Sequence, residues 1–69
     1  MKRVVLYSPR YDSYLSSVKY NRKTGSYEIE LTNYMSKIKI WKSRASAQAQ
    51  ANRILDNNRN MYFEVTEIR

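Results

Sequence analysis

The chain contains no cysteine and no histidine, one glycine and one proline. Without cysteine it can form no disulfide, iron–sulfur cluster or thiolate zinc site. Without histidine it has no imidazole base, no haem-ligating imidazole and no ordinary catalytic zinc centre. One glycine cannot build a Gly-rich phosphate loop. The longest uninterrupted apolar run, Val4-Val5-Leu6-Tyr7, falls far short of the roughly 20 residues a membrane helix needs. The start Met1-Lys2-Arg3 is not followed by the apolar stretch and small-residue cleavage site of a secretory leader. The expectation is a cytoplasmic protein without membrane contact, metal or cofactor.

Aliphatic side chains are scarce as well. Ile, Leu, Val and Phe number 14 among 69 residues, whereas Tyr alone numbers seven. A chain of this length forms one domain and buries only about 60% of its unfolded surface. Its core must therefore draw on tyrosine rings, the four alanines and the single Trp, or be completed by a second copy in a homodimer.

Positive charge is abundant and unevenly placed. The net charge is +7, and residues 1–44 carry all of it, with ten basic and three acidic side chains. Residues 45–69 balance Arg53, Arg59 and Arg69 against Asp56, Glu64 and Glu67. Such a local surplus attracts polyanions.

The apolar pattern predicts an α+β domain over residues 1–69. Its sheet, antiparallel or mixed, has four to five strands with one helix on one face, in the order β-β-β-(β)-α-β. Lys2–Tyr7 reads as a strand closed by Ser8-Pro9. Tyr11–Tyr20 reads as a second, with Tyr14, Val18 and Tyr20 on one parity. Asn21–Ser26 is a turn around Gly25, and Tyr27, Ile29 and Leu31 alternate with Glu28, Glu30 and Thr32 on a third strand. Thr32–Ser36 is open, a loop or one helical turn. Lys37–Lys42 alternates again. Ser43 is placed to cap a helix over Arg44–Asn57, whose inner stripe is Ala47, Ala51, Ile54 and Leu55. Asn57-Asn58 would close it through the left-handed conformation that Asn tolerates. Met61–Ile68 is a last strand with Met61, Phe63 and Val65 inward.

One helix covers one face of a sheet, which leaves the other wet or used. If Ile38 and Ile40 meet the helix, Lys37, Lys39 and Trp41 project from the opposite face. Bases stack on aromatic rings for about 1–3 kcal/mol each while Lys and Arg neutralise phosphates. The expected nucleic-acid contacts are Arg10, Lys19, Arg22, Lys23, Lys37, Lys39, Lys42 and Arg44, with Tyr20 and Trp41 as stacking rings. The bland alternative is that Trp41 is core, the tyrosines are half-buried packing and the lysines serve solubility.

Catalysis is not expected. Glu28 and Glu30 point the same way, about 7 Å apart, but no third ligand or pocket accompanies them. Cross-strand pairing with Lys19 is the simpler role. Ser43 beside Lys42 or Lys37 could suggest a Ser–Lys dyad, yet Ser43 already has work as a cap.

The Tyr14-Leu15 strand, the segment Ser36-Lys37-Ile38-Lys39-Ile40-Trp41-Lys42-Ser43, the alanine helix to Ile54-Leu55 and the final strand resemble small basic accessory proteins of T-even-like tailed phages. The shared pattern is structural, and no functional residue is carried over from it. Ile38 stands where alanine is usual, which implies a wider gap below the helix. The resemblance implies a phage counter-defence protein whose partner is a host nuclease or toxin. The combined expectation is a protein that binds RNA or single-stranded nucleic acid and so blocks a host defence nuclease; the alternative is direct inhibition of a host protein without nucleic acid.

Overall fold

In the computed structural model, which describes residues 3–68, three strands lead into a short 3-10 turn, one helix and a fourth strand. These are β1 (Arg3–Ser8), β2 (Ser13–Asn21), β3 (Ser26–Thr32), the turn Met35–Lys37, α1 (Arg44–Asn57) and β4 (Glu64–Ile68). The strands form one antiparallel sheet in the order β3-β2-β1-β4, with α1 packed against it. The α+β class is as the pattern predicts, and the antiparallel alternative is the one realised. Lys2, expected in the first strand, lies outside the described residues.

Strand β1 is central and carries the densest apolar run. Val4 and Leu6 point to the helix, where they join Leu15, Ala47, Ala51, Ile54 and Phe63 in one buried cluster. Full burial of Leu6, Leu15 and Ile54 contributes about 1.5–3 kcal/mol each. Val18, Tyr27, Ile29, Leu31, Trp41, Met61 and Val65 pack around the rim. Val5, on the other parity, is wholly buried and Ile38 nearly so, and both lie outside the helix-side cluster. Ile38 therefore does not widen a gap beneath the helix.

The expected parity of β2 needs correction. Leu15 pairs with Leu31 and Val18 with Ile29, and the register slips by one residue between Leu15 and Ser17. A β-bulge inserts one residue and switches which parity faces the core. Because of it Leu15, Val18 and Tyr20 share the helix side, whereas Tyr14 turns to the opposite face. There it meets the Tyr7 ring at 5.1 Å between centroids. The core spacing Leu15 to Val18 is three residues, which an unbulged strand cannot place on one side.

The helix occupies the residues the pattern predicts. Ser43 caps it, its Oγ accepting from the Ser46 N–H at 3.2 Å. Its far end differs: Asn58 is extended (φ −145°), not left-handed, and the Asn57 side chain reaches the β2–β3 turn instead. The turn itself has Gly25 at φ +70°, the conformation for which glycine is suited. The last strand begins at Glu64, later than expected, although Phe63 is buried and Met61 and Val65 pack inward.

Candidate nucleic-acid interface

The segment from Tyr34 to Arg44 connects the edge strand β3 to the helix and must cross the sheet to do so. It does not form the expected regular strand. β1 and β2 pair only at Tyr7–Tyr14 and Ser8–Ser13, and beyond that point the connector takes up backbone groups that β2 leaves. Lys39 N–H donates to the Leu15 carbonyl at 2.9 Å, and Ser16 Oγ, on the bulge, donates to the Lys37 carbonyl at 2.8 Å. Trp41 exchanges two backbone bonds with Val4, at 2.8 and 3.3 Å, as an isolated bridge. The connector backbone is thus pinned at both strands of the fork.

That pinning breaks the expected alternation. Ile38 is buried, but Ile40 is 48% exposed. Trp41 is half-buried against the helix-side cluster, and the Lys39 ammonium lies 5.4 Å from its ring centroid. The indole is therefore partly core and partly covered by a cation. The open ring of the segment is Tyr34, 71% exposed, with Lys37 Nζ 5.5 Å from its centroid. Tyr34 was missed by the sequence reading. The clue available is its position, three residues before Lys37 and beside Met35, in a stretch with no strand periodicity.

The remaining expected contacts divide among three places. Lys19 lies on the helix-free face of the sheet, directly opposite Glu28. Arg10 is in the β1–β2 loop with its guanidinium 5.6 Å from the Tyr11 ring centroid. Arg22 and Lys23 are exposed in the β2–β3 turn, beside Tyr20, which is 49% exposed and meets Tyr27 edge-on at 5.1 Å. Lys37, Lys39, Lys42 and Arg44 are all exposed on the connector and first helical turn. The tyrosines as a set are less buried than expected: Tyr7, Tyr14 and Tyr27 are half-buried, but Tyr11, Tyr20, Tyr34 and Tyr62 are exposed.

The electrostatics reverse which face is favourable. By register, the helix-free face of the sheet carries Glu28, Glu30 and Glu64 against Arg3 and Lys19. It is not the cationic platform the sequence suggested. From residue 31 to residue 55 there is no carboxylate, while Lys37, Lys39, Lys42, Arg44 and Arg53 all fall within that span. Among the described residues the ion pair within 4 Å is Arg44–Glu67, at 3.3 Å, and none of the connector lysines is paired with a carboxylate at that distance. The expected Lys19–Glu28 pair is not closed at that distance; Glu28 accepts from Asn21 Nδ2 at 2.9 Å instead.

No group of three or more potential metal-ligating side chains is found among the described residues. No helix there is long and apolar enough to cross a membrane. Comparison with protein-family models, with curated proteins and with solved structures finds no match to this chain.

Proposed function

We propose that the chain is a binding protein for single-stranded nucleic acid, RNA foremost, and that its contact surface is the connector from Tyr34 to Arg44. The observation that carries this reading is a span of 25 residues without a carboxylate, holding four cations and an open tyrosine ring in the eleven residues from 34 to 44. Phosphates are neutralised by Lys37, Lys39 and Lys42, and by Arg44 where a phosphate displaces Glu67 from it, with release of counterions. One base stacks on Tyr34, whose ring already attracts a cation and offers its face to solvent. Nothing in the segment forms a fixed donor–acceptor pattern for base edges, so sequence preference is low. In a phage counter-defence setting, the bound RNA is thereby withheld from a host nuclease or toxin.

Titration of a fluorescein-labelled RNA oligomer at several salt concentrations tests the reading. For three to four neutralised phosphates the slope of log affinity against log salt is about −2 to −3, using about −0.7 per phosphate for single strands. Absence of any binding at low salt rejects it.

A second reading rests on Met35 and Ile40, 60% and 48% exposed beside the lysines. Phosphate binding does not need them, whereas an acidic protein surface with an apolar centre would use both. Under that reading a host protein is bound directly, and nuclease treatment of a lysate leaves the captured partner in place.

A further inference from the structure

We propose that the nucleic-acid site has two ends, the second being the β2–β3 turn, and that the strand between them runs along the outer face of α1. This deepens the proposed function and rests on it. The second end is built in the same chemical terms as the first. Arg22 and Lys23 are exposed and, among the described residues, have no carboxylate within 4 Å, and Tyr20 beside them is half open to solvent on the helix side of the sheet.

The turn that carries them is held in place at several points. Asn21 Oδ1 accepts from the Lys23 N–H at 2.9 Å, and the Asn21 carbonyl accepts from Gly25 N–H at 2.8 Å. Asn57, the last residue of α1, donates to the Gly25 carbonyl at 2.7 Å. The two cationic ends therefore sit at the two termini of one rigid helix, Arg44 at its start and Asn57 with the turn at its finish.

Charge selects the path between them. The sheet's helix-free face would confront a phosphate chain with Glu28, Glu30 and Glu64. The outer face of α1 exposes Gln48, Asn52 and Arg53 and no carboxylate before Asp56. Amides donate to phosphate oxygens without requiring a particular base. A 14-residue helix is about 20 Å long. A strand rising about 3.4 Å per nucleotide when stacked covers that gap in about six nucleotides. A four-nucleotide oligomer thus fills one end only, and a twelve-nucleotide oligomer fills both.

The test compares fluorescein-labelled oligoadenylates of four and twelve nucleotides at one salt concentration. The twelve-mer should bind at least tenfold more tightly than the four-mer, with a salt slope steeper by about one to two. The double variant Arg22→Gln/Lys23→Gln, in an exposed turn, should remove most of that advantage and leave four-mer affinity within twofold. Asp56→Asn should tighten the twelve-mer several-fold and leave the four-mer unchanged. Arg3→Gln, exposed on the helix-free face of the sheet, is the control and should alter neither. If the four-mer binds but the twelve-mer gains nothing, or if the double variant weakens both alike, the two-ended site is wrong while connector binding stands. If neither oligomer binds, the connector reading fails first and carries this one with it.

Discussion

Asn57 Nδ2 donates to the Gly25 carbonyl at 2.7 Å, and the Tyr27 N–H donates back to Asn57 Oδ1 at 3.3 Å. One side chain at the end of α1 thereby fixes the hairpin 30 residues earlier in the chain. It replaces the left-handed cap that a helix commonly uses to finish, so its amide serves tertiary structure instead of local structure. Asn57→Ala removes both bonds. Each exposed neutral bond contributes about 0.5–1.5 kcal/mol, so the loss of two is about 1–3 kcal/mol. In a domain of this size that lowers Tm by about 4–8 °C per kcal/mol. Thermal denaturation followed by circular dichroism checks it; an unchanged Tm means the contact is not formed.

Gly25 gives a second, cleaner measurement at the same junction. Its φ of +70° is costly for any residue with a side chain, while the space around it is ordinary: a Cβ there would meet only the Tyr20 hydroxyl, at 3.9 Å. Gly25→Ala should therefore lose about 1–2 kcal/mol from backbone strain alone. Gly25→Asn should lose less, because Asn tolerates the left-handed region. Equal losses for the two variants in urea denaturation would place the cost in packing instead.

The bulge at Ser16 lets Leu15 and Val18, three residues apart, share the buried face of β2. Deleting Ser16 removes the extra residue and leaves Leu15 and Val18 two apart, so a regular strand keeps both on the helix side. The deletion loses the Ser16 bond to the Lys37 carbonyl but expels no core side chain, so the variant should still unfold cooperatively, with a stability loss of about 1 kcal/mol. Ser16→Ala, which keeps the bulge and loses only the bond to the Lys37 carbonyl, should cost about 1 kcal/mol. A deletion variant that loses cooperative unfolding contradicts this account.

Much of the fold is legible in the sequence, for identifiable reasons. The helix and its cap follow from Ser43 and the three-and-four spacing of Ala47, Ala51 and Ile54, whereas Leu55, expected on the same stripe, is half-buried and outside the core cluster. The hairpin follows from a lone Gly25 between alternating segments. What escapes is non-local. Lys37–Lys42 alternates in sequence, but which side chains are buried depends on the fork between β1 and β2, which breaks the alternation, and no local pattern encodes a fork. The bulge was hidden for the same reason: it shows only when Leu15 is paired with Leu31. The candidate site suffered most, because the cations were identified individually while the positions of Glu28, Glu30 and Glu64, which rule out the sheet face, depend on register.

Tyr7 supplies a prediction in alkali. Its hydroxyl donates to the Asp12 carboxylate, and that bond, with burial and the carboxylate charge adding to it, raises the Tyr7 pKa above its ordinary value of 10.0. The folded chain therefore holds this proton at a pH where the unfolded chain has released it. The contribution to stability is complete below about pH 10 and is lost as pH rises through the raised folded value. Tyr7→Phe should flatten the decline of the urea midpoint above about pH 10, and Asp12→Asn should do the same. If the alkaline decline is identical in wild type and both variants, the bond does not hold the proton.

The two rings of the connector should separate structure from binding. Trp41 is half-buried against the core, and its backbone is bonded to Val4, whereas Tyr34 is the more open ring and packs on no buried residue of the cluster. Trp41→Ala should destabilise the fold by about 2–4 kcal/mol, toward the lower part of the range for buried aromatic truncation. It should affect binding chiefly through unfolding. Tyr34→Ala forfeits only the exposed contact with Lys37, worth about 0.5–1 kcal/mol. It should nevertheless weaken a short RNA oligomer by about 1–3 kcal/mol, roughly five- to 150-fold, because a base loses its stacking partner. Urea denaturation and RNA titration of both variants form a two-by-two comparison. Strong destabilisation by Tyr34→Ala, or unaltered binding by a folded Tyr34→Ala protein, removes Tyr34 from the site, and a stable, folded Trp41→Ala protein that no longer binds returns the indole to it.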